Sequence, residues 1–238
     1  MPLVFRGWIK FSAIEYPKRT STVLYLPYCN FRCHYCYNRD LVLNPEQLQS
    51  YSEEEVLNFL DERKGWIDAV VITGGECTLH NELPEFLRKI KEKGFLGAIE
   101  TNGTNPEMLK KMISERLLDF VRMDIKAPLD FESYRKVTQI DDKNLVEKVK
   151  ESIKILMSSE IDYEFVTTVV PTLHTKEDIL KIAEQIKGAK KYVLNQFVPK
   201  FGTLNEKFES VRPYPREFFE EIKEEIKNNF EEIEIKYN

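Results

Sequence analysis

Cysteine is scarce in this chain: 238 residues hold four, at positions 29, 33, 36 and 77. That pattern excludes a disulfide framework, because three clustered cysteines and one distant one do not form pairs, and a long chain needs no staples. Long apolar runs are missing as well, and nothing approaches the roughly 20 residues that span a bilayer. The opening Met-Pro-Leu-Val-Phe-Arg-Gly-Trp lacks the charged start and apolar stretch of a secretory leader, so neither export nor membrane insertion is expected. Nor does charge of one sign dominate. With 35 basic and 40 acidic residues the net charge is −5, which argues against a nucleic-acid partner, whose phosphates call for a basic face. The expectation is a cytoplasmic protein, in a compartment where thiols stay reduced. No repeat, low-complexity segment or linker divides the chain. Hydrophobic residues make up 42%, enough for one large α/β domain with a sizeable core. The charged fraction of 32%, mostly Lys and Glu, resembles a thermophile surface.

Three of the four cysteines fall in the run Cys29-Asn30-Phe31-Arg32-Cys33-His34-Tyr35-Cys36. The C-x3-C-x2-C spacing gathers three thiolates on one short loop, close enough to hold a single inorganic cluster. A four-iron cluster usually takes four cysteines, so a loop supplying three leaves one iron open. An open position is where a metal centre activates a substrate, as catalytic zinc sites illustrate. The plainer alternative is structural zinc, which closes at four ligands, normally on two cysteine hooks. Its fourth ligand would come from Cys77, His34, His80 or His174, and the sequence has no second hook. Cys77 as a fourth cluster ligand would close the open iron; it reads better as a small buried hydrophobe.

Strand and helix patterns alternate from Thr20 onward. Strands are expected at Ser21–Leu26, Asp68–Thr73, Gly97–Thr101, Asp119–Asp124, Tyr163–Val170 and Tyr192–Phe197. Helices are expected at Ser52–Arg63, with Ser52 and Glu55 forming a capping box, at Glu82–Lys93, stopping at Gly94, and at Pro106–Ser114. Further helices are expected at Asn144–Ser158, with Leu145, Val149, Ile153 and Leu156 on one face, at Lys176–Lys187 and at Pro215–Asn229. A short strand follows at Ile233–Tyr237. Six strands alternating with helices imply a parallel sheet with right-handed crossovers. A full barrel needs eight units, so the fold expected is a partial, TIM-type (β/α)6 barrel, open on one side. Residues 20–200 would form it. Residues 1–19 would be an N-terminal extension, as a strand or hairpin, and 201–238 a C-terminal helix and strand packed on the same domain.

In such barrels the active site lies at the carboxyl ends of the strands, and every distinctive motif here falls at such an end. The cysteines follow the first strand, Gly74-Gly75-Glu76 the second and Thr101-Asn102-Gly103 the third, while Asp124-Ile125-Lys126 closes the fourth. Singly each is ordinary: Gly74-Gly75 and Asn102-Gly103 read as turns, and Asp124/Lys126 as a surface ion pair. Alternation puts Asp124 and Lys126 on one face, however, and a parallel-barrel strand is buried on both sides, so an inward Asp/Lys pair implies polar cargo. Thr167, Thr168 and Val170-Pro171 suit core packing equally well. The sixth strand carries Asn195 and Gln196, with Pro199 just beyond, as candidate contacts to adenine or substrate. His34 and His174 read as solvated loop residues.

The cysteine run, with Tyr35 before its last member, resembles the signature of the radical S-adenosylmethionine (SAM) superfamily. Tyr28 through Asn38, Ile72-Thr73-Gly74-Gly75-Glu76, Thr101 through Pro106, Met123 through Pro128 and Thr167 through Pro171 together resemble the activating proteins of glycyl-radical enzymes, over nearly the whole chain. That resemblance implies a [4Fe-4S] cluster on Cys29, Cys33 and Cys36, with SAM on the unique iron. It implies cofactor contacts from Tyr35 near the adenine, Gly74, Gly75 and Glu76 at the methionine ammonium, and Thr101 and Asn102 at the ribose. Lys126 would meet the SAM carboxylate and Asp124 the amine or ribose, with Thr168 and Gln196 completing the set. The reaction implied is reductive cleavage of SAM to a 5′-deoxyadenosyl radical, which takes a hydrogen from one glycine Cα of a partner enzyme. The implied partner is anaerobic ribonucleotide reductase, and the implied electron donor a flavodoxin or ferredoxin. Alternatives within the superfamily are activation of pyruvate formate-lyase or chemistry on a small molecule, as in deazaguanine synthesis. Peptide-maturing members carry later cysteine clusters, and no cysteine follows Cys77. An electron carrier would hold the cluster and ignore SAM. Two departures from the family pattern stand out: Cys77 replaces a proline, and Val166 occupies the place of an arginine.

Overall fold

A computed structural model describes residues 2–199 and 202–237. The chain opens with β1 (Val4–Phe5) and β2 (Gly7–Ser12), then β3 (Ser21–Leu26), the cysteine loop and a short helix α1 (Arg39–Leu43). β4 (Tyr51–Ser52) leads into α2 (Glu53–Glu62), β5 (Ala69–Gly74), α3 (Leu83–Glu92), β6 (Leu96–Thr101) and α4 (Pro106–Ser114). There follow β7 (Phe120–Asp124), α5 (Phe131–Thr138), α6 (Lys143–Met157), β8 (Asp162–Val169), α7 (Lys176–Gln185), β9 (Lys191–Gln196), α8 (Arg216–Ile226) and β10 (Glu232–Lys236). No described helix is long and apolar enough to cross a membrane.

One sheet of eight strands carries the fold, in the order β10-β9-β8-β7-β6-β5-β3-β2. All neighbours pair in parallel except β2, which runs antiparallel along β3. The edges β2 and β10 do not pair with each other, so the barrel stays open. The six expected parallel strands are present, and β10, the short strand expected near residues 233–237, adds a seventh beside β9. The N-terminal segment supplies an edge strand, while β1 pairs with β4 in a small second sheet. The limits set at 200 and 201 lie outside the described residues.

The element boundaries have local causes. Ser52 caps α2, accepting from the Glu55 N–H at 3.2 Å while Glu55 accepts from the Ser52 N–H at 2.6 Å, which satisfies two donors that the first turn leaves orphaned. Gly94 ends α3 at φ +88, a conformation that costs glycine little. On α6, Leu145, Val149, Ile153 and Leu156 are all buried as their spacing predicts. Two short helices escaped the sequence pattern. α1 spans barely one turn with no side-chain cap bond, and α5 ends at Gln139 in the left-handed region (φ 60), without the glycine that usually marks such a stop.

Alternation gives the sheet two different faces. Leu24, Ile72, Ile99, Val121 and Phe165 point into the large core shared with the helices. The other, inner face packs Val23, Val71, Ala98 and Phe120 against Tyr16 of the N-terminal segment, with no helix. Farther along β6 to β8 that inner face becomes charged, with Glu100, Arg122, Asp124 and Glu164.

Candidate functional site

Because the strands run in parallel, the loops after β3, β5, β6 and β7 emerge at the same end of the sheet. There they enclose a cavity of about 220 Å³. Cys29, Cys33, Cys36, Tyr35, Gly74, Gly75, Glu76, Thr101, Asn102, Asp124, Lys126 and Thr168 all line it. Gln196 does not: its Nε2 donates to the Tyr214 carbonyl at 2.8 Å, away from the cavity. Asn195 faces a separate lateral cavity with Val166 and Arg122.

The cysteine loop is pinned on several sides by main-chain bonds. Gly75 and Glu76 donate to Leu26 and Tyr28, Tyr28 to Leu41 and Arg32 to Thr138, while Leu204 and Asn205 donate to Cys36 and His34. Phe31, Cys33 and Tyr35 alternate as buried anchors, and Tyr37 stacks on Phe197 at 5.7 Å. The two glycines owe their place to this contact. A Cβ on Gly75 would lie 1.8 Å from the Tyr28 carbonyl oxygen, and one on Gly74 2.1 Å from that of Leu26. They let backbone approach backbone, whatever ligand comes near.

Glu76 is 1% exposed and fully engaged within the chain. Its Oε1 accepts from the Thr78 N–H at 3.0 Å, from Thr78 Oγ1 at 2.6 Å and from Thr101 Oγ1 at 2.7 Å; its Oε2 accepts from the Asn102 N–H at 2.7 Å. Its carboxylate therefore ties the loops after β5 and β6 together. Asn30, which the sequence pattern gave no reason to pick out, joins the cysteine loop to this unit through Asn102 Nδ2 at 2.8 Å and Thr104 Oγ1 at 2.8 Å. Asn38 bonds the Gly74 carbonyl at 2.9 Å. Only their closeness to the cysteines marked either residue.

Beyond β7, Ile125 points into the core while Asp124 and Lys126 face the cavity, and Lys126 Nζ lies 3.0 Å from Asp124 Oδ2. Burial works to lower the Lys126 ammonium, yet Asp124 beside it holds its pKa well above the usual value. The sequence expectation for His174 is corrected here, since it is 1% exposed and not solvated. Its Nδ1 accepts from the Val170 N–H at 3.0 Å and its Nε2–H donates to the Lys126 carbonyl at 2.8 Å, a strut under the lysine loop. Burial keeps the ring's pKa below its ordinary 6.5, so the unfolded chain takes up the proton first as pH falls. The stability this histidine supplies is complete above pH 6.5 and is lost below it. Thermal melts should therefore lose about 1 kcal/mol per pH unit on acidification from that point, and His174→Gln should flatten the decline.

Three thiols meet in the cavity and the fourth does not. Cys77 is 0% exposed, with its Sγ 3.3 Å from the Glu100 carbonyl. No three His, Cys, Asp or Glu side chains among the described residues are gathered tightly enough for one metal ion. Cys29, Cys33 and Cys36 line one cavity while the Cys77 sulfur lies against the Glu100 carbonyl, a three-thiol donor set that fits a cluster with one iron left open. Burial pushes the Cys29 and Cys33 thiols up to about 12, so cluster assembly has to displace their protons.

Residues 23–193 match the model of the Radical SAM superfamily. The chain belongs to that superfamily, in the family of glycyl-radical-enzyme activases. A Methanocaldococcus jannaschii protein whose name provisionally assigns it as a glycyl-radical enzyme activating enzyme is 35% identical, over 91% of this chain and 88% of its own length. The pyruvate formate-lyase-activating enzyme of Clostridium pasteurianum is 29% identical over 75% of this chain and 74% of its own. A radical SAM methyltransferase from Sphaerobacter thermophilus shares the fold, at a TM-score of 0.66 and 13% identity over 93% of this chain and 67% of that one. As a radical SAM enzyme the protein uses a [4Fe-4S] cluster and SAM, and the cavity with its three thiols is the candidate place for both. Val166 brings no cation to the inner face of this activase. Arg122 on the adjacent strand does, and Glu15, Glu100 and Glu164 hold it at 2.8, 2.5 and 2.6 Å.

Proposed function

We propose that this protein activates anaerobic ribonucleotide reductase by removing a hydrogen atom from one glycine Cα of that enzyme. The observation that carries the reading is the three-thiol loop at the cavity, with Cys77 turned into the core, on a barrel whose edge strands β2 and β10 do not pair. Similarity to named activating enzymes over most of the chain supports it. In this assignment Cys29, Cys33 and Cys36 hold the cluster. Bound there and reduced by a flavodoxin or ferredoxin, the cluster and SAM would supply the radical chemistry for that abstraction.

The chain's own residues do the rest. Glu76 keeps the loops after β5 and β6 in register, so that backbone carbonyls face the methionine ammonium. Lys126 offsets the methionine carboxylate, Asp124 accepts from the amine or a ribose hydroxyl, and Asn102, Thr101 and Thr168 orient the nucleoside. Phe31, Tyr35 and Val42 line the cavity and keep water away, which a reactive carbon radical requires.

The test is electron paramagnetic resonance on an anaerobic mixture of cluster-loaded protein, reductant, SAM and the reductase of the same organism. A glycyl doublet that requires all components, with 5′-deoxyadenosine released, is expected. Deoxyadenosine without a doublet would redirect the activity to pyruvate formate-lyase or a small molecule. Neither signal from a cluster-loaded protein would overturn the assignment.

A further inference from the structure

Three side chains close a hydrogen-bonded ring between the cysteine loop and the turn after β6. Asn102 Nδ2 donates to Asn30 Oδ1 at 2.8 Å, Asn30 Nδ2 to Thr104 Oγ1 at 2.8 Å, and the Thr104 hydroxyl to Asn102 Oδ1 at 2.7 Å. One main-chain group settles which way every member points. The Thr104 N–H meets Asn102 at 3.1 Å, and a backbone N–H can only donate, so the atom it meets is the oxygen. Asn102 then offers its nitrogen to Asn30, which answers with oxygen, and the Asn30 nitrogen is left for Thr104. Asn102 and Thr104 are 4% and 8% exposed, which shelters the ring from competing water.

The ring reaches both cofactor positions. Asn30 directly follows Cys29, whose sulfur lies 4.0 Å from the same Asn30 Oδ1. Asn102 lines the cavity, and Glu76 accepts from its main-chain N–H at 2.7 Å. Both lone pairs of the Asn102 side-chain oxygen are occupied by Thr104. What that side chain has left to give is one N–H, so it can serve a ligand only as a donor. Turning either amide over would leave groups of the ring unpaired, at the cost of their desolvation.

We infer that Asn30 is a positioning residue for SAM. It acts from the cysteine loop through Asn102, keeping that amide turned so that a donor, and not the oxygen, is free for the nucleoside. This rests on assigning the cavity to SAM and is independent of which protein the enzyme activates.

The test is anaerobic equilibrium dialysis of SAM against the cluster-loaded protein, with no partner present. Asn30→Ala opens the ring from the cysteine loop, and Thr104→Val opens it from the far side while keeping its shape. Each should weaken SAM about tenfold, the value of one hydrogen bond. The double variant should lose about the same tenfold and not about a hundredfold, because members of one network do not add. Thr104→Ser keeps the hydroxyl and should bind within about twofold of the parent. Iron content and thermal melts check that each variant is loaded and folded. Thr104 lies off the cysteine loop, so its variants decide the matter even where Asn30→Ala fails to load. Unchanged affinity in Thr104→Val, or losses that multiply in the double variant, overturn the inference. So does a changed paramagnetic signature of the reduced, SAM-free cluster in Asn30→Ala, which would place Asn30 on the cluster instead. If the unaltered, cluster-loaded protein does not bind SAM, the cavity assignment itself fails, and the role of Asn30 with it.

Discussion

Changing Cys33 to alanine is expected to remove the cluster: iron should fall from about four per chain to background, and SAM cleavage below detection. Cys77→Ala, one loop away, keeps its iron and its SAM cleavage. The contrast follows from where the sulfurs point. Cys33 lines the cavity, whereas the Cys77 Sγ lies against the Glu100 carbonyl in the core. Truncating Cys77 removes one small buried group, at a cost of about 1 kcal/mol in stability. Iron analysis and a deoxyadenosine assay on both variants settle the point. Equal loss of iron from the two would make Cys77 a ligand, closing the iron that has to stay open for SAM.

Replacing Arg122 with methionine should cost about 3–5 kcal/mol, the usual consequence of leaving a buried charge without its partner. Arg122 stands among Glu15, Glu100 and Glu164, and Glu164 is only 1% exposed. Without the guanidinium these carboxylates face one another on the inner face, and the Glu100 carboxyl, which burial already raises against the pull of Arg122, rises further in the folded state. The sign then follows: protonation relieves the folded variant more than the unfolded chain, so its deficit shrinks as pH falls. Melting curves of variant and parent at pH 7.5 and 5.5 test this, with a gap of about 10 °C expected at the higher pH and a smaller one at the lower. A pH-independent gap would mean that Arg122 contributes packing, not charge.

The sequence carried the frame and the cluster loop, because both are local patterns. Alternating runs gave the parallel strands, and a capping box located α2. The turn glycines marked Gly74-Gly75 and Asn102-Gly103, and the cysteine spacing spoke for itself. What it concealed depends on neighbours far away in the chain. Nothing in the run Pro171-Thr172-Leu173-His174 says that the imidazole is buried beneath Lys126. The network around Arg122 joins four segments, and no single window contains it. Glu76 illustrates the middle case: its position was legible, whereas its engagement with Thr78, Thr101 and Asn102 was not. The seventh parallel strand belongs with these, since an Ile/Glu alternation at the chain's end does not name the edge it will join.

The main-chain bonds that hold the cysteine loop from four directions bear on how this protein meets oxygen. In a zinc finger the metal is the keystone, and its departure unfolds the domain. Here the loop is also bonded through its main chain to β5, α1, α5 and the 204–205 segment, so its shape does not hang on metal ligation alone. Oxidative damage to the cluster should therefore cost this protein its activity before it costs the fold.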